Sequence, residues 1–160
     1  MKKKRDNRFT DIDGKGAFAL PNTLIRHPNM AMLSPYALKL IVDLGTQFTG
    51  FNNGYLCCTW SMMSPRGWKS PTTLHKAMLE CEYYGLLVRT QSGGRNRPNL
   101  HAFTWRRIDE RADKPLAMNP TREPSNAWKE PREKYVYQKP RRSRSYRSRG
   151  HKGRHEKRVA

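Results

Sequence analysis

Residues 64–105 read SPRGWKSPTTLHKAMLECEYYGLLVRTQSGGRNRPNLHAFTW, and this stretch constrains the fold more than any other. Ser70 followed by Pro71 is a helix start. A serine hydroxyl can accept from the N–H groups of the first turn, and the fixed φ of proline suits a position whose N–H is unused. Leu74, Ala77, Met78 and Cys81 then recur at three- and four-residue spacing. That is the apolar stripe of a helix predicted to run to about Tyr84, with Gly85 as its stop. LLVRTQ and LHAFTW read as the two strands of a hairpin. The connection SGGRNRPN is longer than a tight turn requires and, Pro98 apart, consists of polar residues and glycine.

The preceding residues supply what this unit packs against. LSPYALKLIVDLGTQFTG repeats the cap-then-proline start at Ser34 and Pro35. Leu33, Ala37, Leu40, Ile41, Leu44 and Phe48 form one side of the predicted helix, and Lys39, Asp43 and Gln47 the other. Asn53-Gly54 signals a turn and YLCC a short strand. Thr59 is placed to cap a short helix through Met62 and Met63, closed by Pro65 and Gly67. Earlier still, Phe18, Leu20, Leu24 and Ile25 suit a packed arm or one short helix after Pro21, ended by Pro28. Residues 1–16 are polar and expected to be loose.

Charge narrows the partners. The chain carries 32 Lys and Arg against 13 Asp and Glu, a net +19. Such an excess favours an anionic partner, nucleic acid first and an acidic membrane second. Hydrophobic residues are 36%, against a globular norm of about 45–50% that also counts glycine. The shortfall lies late in the chain. After Trp128 the large apolar or aromatic side chains are Tyr135, Val136, Tyr137, Tyr146 and Val159. So few apolar groups cannot offset the ordering entropy, which predicts a folded domain over 17–111 and a disordered basic tail over 112–160.

The sequence shows no apolar leader and no run of about 18 apolar residues, so no membrane span is expected. Cys57, Cys58 and Cys81 contain no Cys-x-x-Cys pair, and an odd count suits reduced, buried thiols in a cytosol. No metal and no cofactor is expected.

Taken in order, residues 33–107 give helix, strand, short helix, turn, helix, strand, loop, strand. With GWKSPTTLHKAMLECEYYGLLVRT and SGGRNRP, this order resembles the winged helix-turn-helix proteins of plasmids, phages and other mobile elements, some of them regulators and some replication proteins. One departure is Cys81, where such proteins often carry leucine four residues before the glycine. The resemblance implies an α+β fold of three helices and a small antiparallel sheet with a basic wing. It also implies that the third helix enters the DNA major groove by its N-terminal end.

The residues available there are Lys69, Ser70, Thr72, Thr73 and Lys76, and the wing would offer Arg95, Asn96 and Arg97. Against this stand plainer readings: Ser70 only caps, the threonines are a solvated face, and the arginines are an ordinary charged hairpin tip. His75 reads as a surface side chain. Trp68 reads as packing in the turn rather than stacking on a sugar-phosphate, and Trp60 and Trp105 likewise. In the tail, Arg141, Arg142, Arg144, Arg147 and Arg149 suit phosphate contacts without sequence preference. A solubilising tail or an RNA-binding arm would share that composition.

The function expected from these features is sequence-specific binding of double-stranded DNA by a regulator or replication protein, cytoplasmic and nucleoid-associated, with homodimerisation left open. The alternative is an RNA-binding or ribosome-associated protein, although RNA readers usually present aromatics on a sheet, and these are scattered. The sequence shows no nucleophile triad, phosphate loop, paired carboxylates or zinc spacing, so an enzyme and a small-molecule substrate are not expected.

Overall fold

The computed structural model describes residues 17–94 and 97–139. Within them lie five α-helices: α1 (Asn22–Ile25), α2 (Pro28–Ala31), α3 (Pro35–Gly45), α4 (Trp60–Met63) and α5 (Pro71–Tyr83). Three strands, β1 (Leu56–Cys57), β2 (Leu87–Gln91) and β3 (Leu100–Phe103), form one antiparallel sheet in the order β1-β3-β2. The architecture is α+β. Its helices outnumber the three of the winged-helix expectation, because the arm before α3 forms α1 after Pro21, as one alternative had it, and a second short helix, α2, that starts at Pro28. Pro28 occupies the first position of α2, and His27 caps it by accepting from Asn29 N–H through Nδ1 at 3.3 Å.

Helix α3 forms as its pattern predicts. Ser34 Oγ accepts from Ala37 N–H at 3.2 Å, and Leu40, Ile41 and Leu44 are fully buried. Asp43 departs from expectation, since it is buried rather than on a solvated side. It accepts from Lys39 Nζ at 2.6 Å, Arg66 Nε at 2.9 Å and Trp68 Nε1 at 2.7 Å. Burial pulls its carboxyl up, but these three donors outweigh that and hold it below the ordinary value. Its contribution to stability is therefore complete above the unfolded-state value of about 4 and lost as pH falls through the lower folded value. Asp43→Asn is expected to lower stability at neutral pH and to flatten the decline below about pH 4, as read from melting temperatures between pH 7 and 2.

The sheet is fastened by side-chain amides. Gln47 donates to Cys57 C=O at 2.8 Å and accepts from Cys57 N–H at 2.9 Å, which pins β1 to the end of α3. Asn53 is fully buried. Its Oδ1 accepts from Phe103 N–H at 2.8 Å, and its Nδ2 donates to the carbonyls of Phe103 and Arg107 at 2.9 and 2.8 Å. Thr90 sits where the β2–β3 register shifts between Arg89 and Gln91, and its hydroxyl donates to Gly54 C=O at 2.6 Å.

The folded part does not stop at residue 111. Trp128, 5% exposed, belongs to the same core as Leu24, Leu86 and Phe103. Asn29 Nδ2 donates to the carbonyls of Trp128 and Glu130 at 2.9 and 2.7 Å, and its Oδ1 accepts from Arg132 N–H at 2.9 Å. At Gly85, φ is +68°, and an added Cβ would lie 2.6 Å from Ala127 C=O, so the glycine ends α5 and also admits the returning chain. The predicted disordered tail is thus corrected for residues 112–139. Counting apolar side chains missed this segment because one tryptophan and a set of backbone hydrogen bonds hold it. Residues 1–16 and 140–160, where a loose N-terminus and the rest of the tail were expected, lie outside the described residues.

Candidate nucleic-acid interface

Helix α5 is held from both ends. At its front, Asp43 receives Arg66 and the Trp68 indole from the turn that leads into the helix, and Lys39 Nζ lies 5.4 Å from the Trp68 ring. Trp68 is therefore buried packing. Gly67 takes φ +84°, the left-handed conformation that lets the turn reverse. Further along, Glu80 Oε1 accepts from Ser34 N–H at 2.7 Å and Oε2 from Ser34 Oγ at 2.6 Å, docking α5 on the start of α3. Leu74, Ala77, Met78 and Cys81 face the core as their spacing predicts. Leu74→Ala is expected to cost about 2–5 kcal/mol in chemical unfolding, the usual range for a buried leucine.

The outward front is left to the predicted residues. Lys69 and Thr72 are exposed, and Ser70 and Thr73 are half-buried. Ser70 Oγ accepts from Thr73 N–H at 3.4 Å, so Ser70 serves as the cap. Both carboxylates of α5 point elsewhere: Glu80 to Ser34, and Glu82 to Arg89 at 3.1 Å. Among the described residues no ion pair involves Lys69. The N-terminal half of α5 thus presents cations, hydroxyls and the positive end of the helix dipole to solvent. His75 is exposed, as expected. Trp60 is exposed, against expectation.

Lys76 is differently placed. Its Nζ lies 4.6 Å from the Tyr137 ring centroid. Residues 130–137 run as a strap along α5. Arg132 donates to Tyr83 C=O and stacks over the Tyr83 ring at 5.5 Å. Tyr135 N–H donates to Tyr84 Oη at 2.8 Å, and the Tyr135 ring centroid is 5.2 Å from that of Tyr83. Tyr135 and Tyr137 are half-buried while Val136 between them is exposed, the alternation of an extended segment. Lys76 therefore borders the strap. Sequence reasoning missed the strap because its tyrosines are two residues apart in an otherwise polar stretch.

In the hairpin, Gly94 and Arg97 exchange backbone hydrogen bonds at 3.0 and 3.1 Å, and Arg97 is exposed. Gly93 N–H donates to Asn99 Oδ1 at 2.6 Å, and a Cβ on Gly93 would meet Arg97 C=O at 2.7 Å. The glycine is needed for the hairpin crossing itself. Arg95 and Asn96 lie outside the described residues, as do Arg141, Arg142, Arg144, Arg147 and Arg149.

Hairpin and helix meet at a cleft of about 200 Å³. It is lined by Pro71, Leu74, His75 and Met78 of α5, by Cys58, Thr59 and Trp60, and by Asn99, two residues from Arg97. The fold thus brings the hairpin root beside the front of α5. No described helix is long and apolar enough to cross a membrane. In comparison with known proteins, the chain matches no protein-family model, no curated protein and no solved structure.

Proposed function

We propose that this chain is a winged helix-turn-helix protein that binds double-stranded DNA with sequence preference. The front of α5 reads the major groove and the β2–β3 hairpin contacts the adjacent backbone or minor groove. The observation that supports this most is the shared cleft. Asn99 and the first turns of α5 line one space, so a basic hairpin stands beside a helix front that carries Lys69, Thr72 and Thr73. The strand order β1-β3-β2, with α5 leading into β2, supports the fold assignment.

In this reading Thr72 and Thr73 meet base edges or phosphates, Lys69 and Arg97 meet phosphates, and Ser70 shapes the helix start. Lys76, beside Tyr137, takes a peripheral place. Arg95 and Asn96 are assigned to the hairpin contact from sequence. The basic residues after Lys139 add phosphate contacts without sequence preference. The role is that of a regulator or a replication protein of a mobile element, and binding would hold the protein on the nucleoid. Selection of bound sequences from a random duplex pool tests the reading. Enrichment of a defined motif is expected. A palindrome would indicate a dimer, and a tandem array would favour replication origins. Failure to enrich any motif would remove the sequence-specific role.

A further inference from the structure

The cleft beside α5 has a floor rich in soft donor atoms. Cys58, immediately after β1, places Sγ 3.5 Å from Met78 Sδ of α5 and 3.6 Å from Nδ1 of His101 on β3. Cys58 and Met78 both line the cleft, so small solutes can reach them. His101 is fully buried, and its Nε2 faces Glu82 Oε1 at 3.3 Å, an ion-pair distance without hydrogen-bond alignment. A carboxylate on that side favours the tautomer protonated at Nε2 and leaves the Nδ1 lone pair towards the Cys58 sulfur.

Among the described residues no three His, Cys, Asp or Glu side chains converge on one point. Here a thioether completes the set, and the three donors come from three different elements, so no sequence spacing reveals them. We propose that Cys58, Met78 and His101 bind one soft monovalent metal ion of the Cu(I) class. Thiolate, thioether and imidazole suit such an ion. With bonds of the lengths zinc makes to sulfur and nitrogen, about 2.3 and 2.0 Å, the Cys58–Met78 and Cys58–His101 separations of 3.5 and 3.6 Å correspond to ligand angles of roughly 100–115°.

The soft donor set selects the valence. Binding transfers the thiol proton to solvent and forms a metal–sulfur bond, and the metal stays in the +1 state. Loss of the thiol proton offsets the charge of a monovalent ion, whereas a divalent ion would add one further positive charge. The bound ion would also tie α5, through Met78, to the sheet.

The test is an anaerobic titration of full-length protein against the coloured Cu(I)–bicinchoninate complex. One Cu(I) withdrawn per chain is expected, with Cys57→Ser and Cys81→Ser unchanged. Cys58→Ser should abolish withdrawal, and Glu82→Gln should weaken it about 10–100-fold, as loss of a carboxylate behind a ligating histidine does. If Cys58→Ser fails to give a cooperative melt, Met78→Leu, which keeps the volume, decides by the same loss. No withdrawal by the intact protein, or equal loss in Cys57→Ser, overturns the proposal. None of these readouts involves DNA, so the result stands apart from the DNA-binding reading.

Discussion

A chain cut after Arg111 is expected to lose most of its stability, whereas one cut after Lys139 should melt like the full-length protein. The shorter cut removes Trp128 from the core, and truncating a buried tryptophan alone costs about 3–5 kcal/mol. It also strips Asn29 of the carbonyls of Trp128 and Glu130 and of the Arg132 N–H donor. Each buried polar group left unpaired costs about 1–3 kcal/mol. A domain has only about 5–15 kcal/mol in all. Thermal and urea unfolding of the two truncated chains measure this. A cooperative transition at an unchanged midpoint for the chain ending at Arg111 would show that residues 112–139 lie on the domain without supporting it.

The second large effect concerns salt. The chain cut after Lys139 lacks nine Lys and Arg and one Glu. Each phosphate left without its cation should lower the slope of log K against log salt by about 0.9. If half of the nine reach phosphates, the slope falls by about four units, and affinity at low salt falls by orders of magnitude for any duplex. The preference between a selected and a scrambled duplex should change little, because phosphate contacts carry no sequence information. Binding to both duplexes at several salt concentrations, with both chains, is the measurement. Lost preference with scrambled binding intact would move recognition from α5 into the arginine-rich residues, and an RNA or single-strand reading would then gain.

The parts legible in the sequence were those with a period or a punctuating residue. Ser34-Pro35 and Ser70-Pro71 start α3 and α5, and the three- and four-residue stripes face the core. What escaped the reading was polar and long-range. Asp43 reads as a solvated charge because nothing nearby in sequence announces Arg66 and Trp68 as its partners. Asn53 reads as a turn residue and nothing in the sequence singles out Asn29, yet each is a buried hub for chain segments up to 103 residues away. At the site, the exposed front of α5 followed from helix phase. The contact of exposed Lys76 with Tyr137 did not, because it depends on where the segment after Trp128 returns.

The central claim is that the front of α5 distinguishes one duplex from another. It is tested most directly by comparing the full-length chain with a Lys69→Ala, Thr72→Ala, Thr73→Ala variant on the selected and scrambled duplexes at one fixed salt concentration. None of these side chains lies in the buried core, and the Thr73 N–H that Ser70 caps is kept. The variant should therefore melt within a few degrees of the parent. Affinity for the selected duplex is expected to fall by at least tenfold, about 1.4 kcal/mol, while scrambled binding falls only by the share of one lysine. A folded variant that kept its full preference for the selected duplex would contradict the account, and so would a full-length chain that bound single-stranded RNA more tightly than any duplex.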